Sequence, residues 1–354
     1  MRRGKIYGIL LVSCVSIICL GSAPAVGADL PKTHLKIIGH NSPQLASKDE
    51  LKFWNTTVPK ASDGRITATV TPVDLAGISD DALLRLLKLG VMDVAGFDLS
   101  KMAGDDPHFA GCDIAGLAAT PDAARKACNA YRDVIDQQMQ KNWNAKLYAI
   151  GANPPQVLWC RDVITGIADL KGKKVRVFNN SLRDFMTKIG ATPISMSFAE
   201  VVPALNNGVV DCAVTGSLTG NISGWGEVTK SVFMMPLGWS INVEAFNLES
   251  WSNLTPSVRE FLIKERTTYE DELWNTVKTA TGEADNCNTH KEPCTLGKLI
   301  NMKVVQMSPE DEATYKKIVS TSSVGSWAKR CGRKCADQWE ETVGKVLDIG
   351  LQTK

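Results

Sequence analysis

The sequence is short of several things whose absence is informative. It has only four histidines, His34, His40, His108 and His290, and they show no metal-ligand spacing. It carries no GxSxG elbow, no glycine-rich phosphate loop ending in Lys-Ser/Thr and no HExxH. Neither sign of charge dominates: 40 lysines and arginines stand against 38 acids, a formal net charge of +2. With no basic stripe interleaved with aromatics, nucleic acid is not an expected partner. No internal repeat or low-complexity tract is present, and 44% hydrophobic with 22% charged residues excludes collagen-like and disordered chains. The 354 residues suffice for two domains, each with its own core.

Long apolar runs are confined to the beginning. Arg2, Arg3 and Lys5 precede the run Ile6 to Leu20, and small residues follow from Ser22 to Ala28. The run falls short of the ~20 apolar residues a spanning helix needs. Val26-Gly27-Ala28 before Asp29 reads as a cleavage site, so residues 1–28 are expected to be a signal peptide and the mature chain to be periplasmic. Leu11-Val12-Ser13-Cys14 offers an alternative, a lipoprotein box with a lipid on Cys14, although the apolar run continues past that cysteine.

Eight cysteines remain beyond the signal: Cys112, Cys128, Cys160, Cys212, Cys287, Cys294, Cys331 and Cys335. An even number in an exported chain favours disulfides. Short loops close cheaply, which favours Cys287 with Cys294 and Cys331 with Cys335 and leaves Cys112/Cys128 and Cys160/Cys212. Other connectivities stay open. A zinc cluster of His290 with Cys287 and Cys294 is the competing reading, while Cys331-x-x-x-Cys335 lies near no histidine in the sequence. No metal and no cofactor is expected.

The first third of the mature chain alternates strands and helices. Leu35 to Ile38 reads as a strand, and Leu51, Trp54 and Val58 are spaced as on a helix. Ile66, Ala68 and Val70 alternate with threonines as on a half-buried strand. Asp80 to Leu89 is a helix that Gly90 ends, and Val91 to Phe97 is a further strand. This rhythm predicts an α/β fold with a largely parallel sheet. It recurs after a break at Asn153-Pro154-Pro155, with strands at Leu147–Ala152, Lys174–Phe178 and Val209–Thr215 and helices at Ser181–Ile189 and Ser197–Asn206. From Thr255-Pro256 the apolar spacing predicts a helix of about 25 residues, ~38 Å long, enough to bridge two small domains. Ser308-Pro309-Glu310-Asp311 is a further helix start.

Arg176 interrupts the apolar strand Lys174-Val175-Arg176-Val177-Phe178. Burying an unpaired arginine is very costly, so it must reach solvent, pair with an internal acid, or await an anionic ligand. The segment Asp169-Leu170-Lys171-Gly172-Lys173-Lys174-Val175-Arg176-Val177 is followed by Gly190-Ala191-Thr192-Pro193, Phe198-Ala199-Glu200-Val201, Ala204-Leu205-Asn206-Asn207-Gly208 and Val209-Val210-Asp211. This ordered run resembles the solute-binding proteins of tripartite ATP-independent periplasmic (TRAP) transporters, the DctP-type family. It is strongest over residues 161–215 and looser over the rest.

The resemblance implies a two-lobe clamshell crossed by a long helix. The expected division is residues 29–153 plus 241–282 as lobe I and 154–240 plus 283–354 as lobe II, with hinges near Asn153–Gln156 and Ser240–Asn242. It implies a small organic acid bound between the lobes, with its carboxylate on Arg176, and delivery to membrane permease subunits by a monomeric, non-enzymatic binding protein. A guanidinium fork suits a carboxylate, matching its two oxygens and staying charged. By position, Thr215, Asn41, Asp98, Gln156, Arg161, Trp239 and Asn242 are further candidate ligand contacts. Asp98 reads equally as a helix cap, Asn41 as a turn residue and Trp239 as core. A disulfide between Cys160 and Cys212 would brace the binding lobe. The rivals are a periplasmic binding protein of another transport or sensing system, and an exported α/β hydrolase, for which no nucleophile–base pair is evident.

Overall fold

The structure, a computed structural model, describes Met1 and residues 30–351. The signal segment, its cleavage site and Cys14 lie outside the described residues. Eleven strands are described, in two separate sheets. The first holds β1 (Thr33–Gly39), β2 (Ile66–Pro72), β3 (Val94–Asp98), β4 (Ala145–Gly151) and β10 (Asn242–Asn247), in the order β2-β1-β3-β10-β4. The second holds β5 (Gln156–Cys160), β6 (Lys174–Val177), β7 (Thr192–Ser195), β8 (Cys212–Gly216), β9 (Ser231–Phe233) and β11 (Lys303–Val305), in the order β11-β9-β5-β8-β6-β7.

Neither sheet is as parallel as the sequence rhythm predicts. β1 runs parallel to β2 and β3, but β10 runs antiparallel to both β3 and β4. β6 is parallel to β7 and β8, whereas β5 is antiparallel to β8 and β9. The reason is topological. The chain leaves lobe I after β4 and returns at β10, so each sheet contains a strand that has crossed from the other lobe. Periodicity records burial of a strand, not the direction of its neighbour.

Thr255 caps the spanning helix by accepting from the Val258 N–H, and Pro256 occupies its first turn. The helix runs from Pro256 to Asn288, 33 residues, longer than the predicted 25. Its first half packs Val258, Phe261, Leu262 and Tyr269 against lobe I. Its far end carries Ala280, Ala284 and Cys287 onto Leu45 of lobe I and Leu218 of lobe II. A second helix, Pro121–Trp143, was not evident from the sequence. Thr120 caps it and Asn144, in the left-handed region at φ 48°, ends it.

The end of the chain corrects the expected division. Tyr315 and Ile318 pack into the lobe II core, but Val324, Trp327, Cys335, Trp339 and Val343 join the lobe I core. The Trp327 and Trp339 indoles donate to the carbonyls of Pro107 and Gly111. Residues 324–351 are thus a strap that returns to lobe I. Four disulfides form, Cys112–Cys128, Cys160–Cys212, Cys287–Cys294 and Cys331–Cys335. The third uses both sulfurs that the zinc reading with His290 required.

Candidate functional site

The two crossovers lie side by side. The Asn153 N–H donates to the Trp239 carbonyl at 2.9 Å and the Gln156 N–H to the Gly238 carbonyl at 2.8 Å. Gly238 has φ 128° and Ser240 φ 47°, backbone settings that turn the returning chain toward lobe I. Asp113 pins this turn: its carboxylate accepts from the N–H groups of Trp239 at 2.8 Å and Ile241 at 3.3 Å. Burial pushes the Asp113 carboxyl up to about 7, with the charge of Asp98 adding to the effect.

The cleft opens beside these crossovers. Arg176 is only 2% exposed. Its strand neighbours Val175 and Val177 are fully buried, so the strand delivers the arginine stem through packed apolar surface to the cleft end of the sheet. Its Nε donates to the Met196 carbonyl at 3.2 Å and an Nη to the Val214 carbonyl at 2.9 Å. The guanidinium lies 5.3 Å from the Phe178 ring centre. These contacts fix the plane of the fork. It borders an inner chamber of about 20 Å³ and an outer groove of about 580 Å³.

The inner chamber draws on both lobes. Gln44, Asp98 and Lys101 come from lobe I, Asn153 and Ser240 from the crossovers, and Gln156, Thr215, Thr219, Phe178 and Phe198 from lobe II. Thr215 lies on β8, beside the arginine strand. Gln156 is held by its Nε2–H donating to the Pro154 carbonyl at 2.9 Å. Asp98 both lines the chamber and caps the turn that follows β3, accepting from the Ser100 N–H at 2.9 Å and from the Ser240 hydroxyl. Asn41 borders the outer groove.

Three further candidates stand elsewhere. Trp239 is packed in the lobe I core, its indole donating to the Ala118 carbonyl at 2.9 Å. Arg161 follows the far end of β5, with its guanidinium beside Gly208. Its spacing from Gln156 along an extended strand, ~17 Å, removes it from the chamber. Asn242 sits behind Asn153, whose amide donates to Asn242 Oδ1 at 3.3 Å. Sequence reasoning missed Gln44, Lys101, Phe178, Phe198 and Thr219 as cleft residues, and had Asn153 and Ser240 only as hinge positions.

Lobe I also holds a buried acidic pair. Glu50, fully buried, presses its carboxyl against Gly39 and Gly96, where a Cβ would lie 2.0 and 2.4 Å from its oxygens. Glu244 accepts from the Trp54 indole at 2.8 Å and from the Tyr269 hydroxyl. Ligand atoms of both carboxylates and of His40 lie within 4.8 Å of one another. Burial, then the charge of Glu244, holds the Glu50 carboxyl well above its ordinary value, while Glu244 is raised to about 7 by burial.

Two mixed α/β lobes, a long bridging helix and a polar cleft between paired crossovers define a bilobal solute-binding protein. The chain belongs to the family described as bacterial extracellular solute-binding protein, family 7 (DctP), which it matches over residues 38–323. It is similar to a solute-binding protein of Roseobacter denitrificans, 31% identical over 217 residues, which are 58% of this chain and 62% of that one. The crystal structure of the Roseobacter protein, with bound L-galactonate, superposes with a TM-score of 0.71 at 21% identity, covering 83% of this chain and 95% of that one. The sialic acid-binding periplasmic protein of Vibrio cholerae is 26% identical over 76% of this chain and 83% of its own. A Bordetella pertussis extracytoplasmic solute receptor that binds pyroglutamic acid shares the fold with a TM-score of 0.78 at 21% identity, covering 88% of this chain and 99% of that one. The family is one of transport receptors, and no helix among the described residues is long and apolar enough to cross a membrane.

Proposed function

We propose that this protein captures a small organic acid between its lobes, with the ligand carboxylate on Arg176, and delivers it to a TRAP permease for ion-gradient-driven uptake. The observation that carries the reading is the placement of Arg176, a buried arginine whose fork borders a cleft lined by both lobes. Anchored by two backbone carbonyls, the guanidinium loses little entropy when a carboxylate docks. The inner chamber is narrow and lined from both lobes, so the lobes part at the crossovers to admit a ligand and close over it. Closure excludes water and strengthens the ion pair. Ligand stabilises the closed form by its greater affinity for it.

Thr215, Gln156 and Asp98 then contact the polar groups of the acid in the inner chamber, and Asn41 those that extend into the groove. Hydroxylated and cyclic acids suit this lining, and the bound ligands of the relatives support it: L-galactonate, sialic acid and pyroglutamic acid each carry a carboxylate with further polar groups. Residues 1–28 direct export and are removed near Ala28, and the mature chain acts as a monomer with no catalytic step.

The test is a thermal-shift screen of organic acids followed by titration calorimetry of the best ligand. A ligand at about 100 times its Kd adds about 2.7 kcal/mol of apparent stability. Arg176→Ala is expected to abolish that shift and Arg176→Lys to weaken binding by 10-fold or more. Unchanged affinity in Arg176→Ala would refute the carboxylate anchor.

A further inference from the structure

The fold brings together residues far apart in the chain at the strap. His108, in the short turn Pro107–Ala110, meets Cys331, the last residue of one strap helix, and Cys335, in the first turn of the next. A ring nitrogen of His108 and both sulfurs lie within 4.8 Å of one another. His108 Nδ1 is 2.7 Å from Asp106 Oδ1, which orients the ring and leaves Nε2 as the nitrogen able to coordinate. Asp106 is itself held by the Asn142 amide at 3.2 Å. The Tyr131 hydroxyl lies 3.8 Å from Cys335 Sγ. His108 and Cys331 are half-buried, so the site is reachable from solvent, whereas Cys335 is buried.

We propose that His108, Cys331 and Cys335 form a redox-gated soft-metal site, closed as a disulfide in the oxidised protein and able to take Zn²⁺ once reduced. A small dithiol supplies two electrons and two protons, the S–S bond becomes two thiols, and the dithiol leaves as its own disulfide. Zn²⁺ then displaces the two thiol protons and binds two thiolates and one imidazole, with water in the fourth position. Thiolate and imidazole ligands select Zn²⁺ over Ca²⁺ or Mg²⁺.

The two states differ in what they join. The disulfide links residues four apart within the strap. The metal would tie the strap to the 107–110 turn, where the Trp327 indole already donates to the Pro107 carbonyl at 2.8 Å. Metal binding is therefore expected to stiffen the junction between the strap and lobe I.

The experiment uses the folded mature chain, reduced with dithiothreitol under native conditions and desalted without oxygen. Alkylation mapping reports which disulfide opened. Co²⁺ and Zn²⁺, each added alone, report binding through thiolate-to-cobalt charge-transfer absorption and through competition with a chromophoric chelator. One equivalent per chain is expected, together with a higher Tm for the reduced protein in Zn²⁺. Asp106→Asn, which leaves all three ligands in place, is expected to weaken the metal about 10–100-fold, and His108→Gln more. Four outcomes would overturn the proposal: no charge-transfer band, affinity unchanged in His108→Gln, a band that persists in the Cys331→Ser/Cys335→Ser double variant, or a Cys331–Cys335 bond that opens only after the chain unfolds. Circular dichroism of each variant before loading separates lost binding from lost folding.

Discussion

Replacing Glu50 with glutamine tests how lobe I tolerates two buried carboxyls in its interior. Glu50 and Glu244 are 0% and 2% exposed, and both are raised, Glu50 well above its ordinary value and Glu244 to about 7. An unfolded chain releases both protons near pH 4.3. Between that pH and about 7 the native state therefore holds protons that the unfolded state has lost, so stability declines as pH rises. Each retained proton changes stability by about 1.4 kcal/mol per pH unit. The contribution is fully present below the unfolded value and is lost as pH rises toward the folded one. An amide at position 50 still accepts the His40 N–H, now 2.9 Å from Glu50 Oε2, but does not titrate. Glu50→Gln is thus expected to remove one proton from the slope, so the two profiles diverge by about 1.4 kcal/mol per pH unit above the unfolded value for as long as wild-type Glu50 keeps its proton. Urea unfolding followed by tryptophan fluorescence across that range measures it. Parallel pH profiles for the two proteins would show that Glu50 is already ionised in the folded state, and the argument from burial would fail.

Other outcomes follow from the same structure. Removing the Cys160–Cys212 bond with paired serines releases a 52-residue separation and is expected to cost about 4 kcal/mol by loop entropy, read as a fall in Tm. A Tm unchanged by the double substitution would show that the β5–β8 ladder alone braces the lobe. Asp113→Ala strands the N–H groups of Trp239 and Ile241 at the returning crossover, at a cost of about 2–4 kcal/mol, and Asp113→Asn, which keeps one acceptor, should cost less. Equal losses in the two variants would remove the pinning role. Trp239→Ala is expected to lose about 3–5 kcal/mol of stability as a core truncation, with ligand affinity in the surviving folded fraction within about 3-fold of wild type. A selective loss of affinity would return this indole to the cleft. Arg161→Ala should leave calorimetric affinity unchanged, and a 10-fold loss would contradict its placement at the far end of β5.

Much of the framework is written locally. The proline that follows Thr255 and the capping box at Ser308 each announce a helix start within four residues, and both helices begin there. A charge inside an apolar strand drew attention to Arg176 but left its partner open, and the resemblance of the ordered run from Asp169 to Asp211 to the solute-binding family supplied the expected carboxylate. The cysteine pairs closest in sequence are joined, and the remaining four pair as the residue left over.

What tertiary structure alone decided is which distant residues share a space. Lys101 and Gln44 reach the cleft, Trp239 turns from it into the core, the strap crosses back from lobe II to lobe I, and His108 arrives beside Cys331 and Cys335. Strand direction belongs to the same class, since β10 pairs with β3 and β4 only because the chain has left and returned. The physical reason is range. Caps, turns and periodicity act over a few residues and leave a mark in the sequence, whereas burial beside a remote partner depends on packing that no short segment encodes.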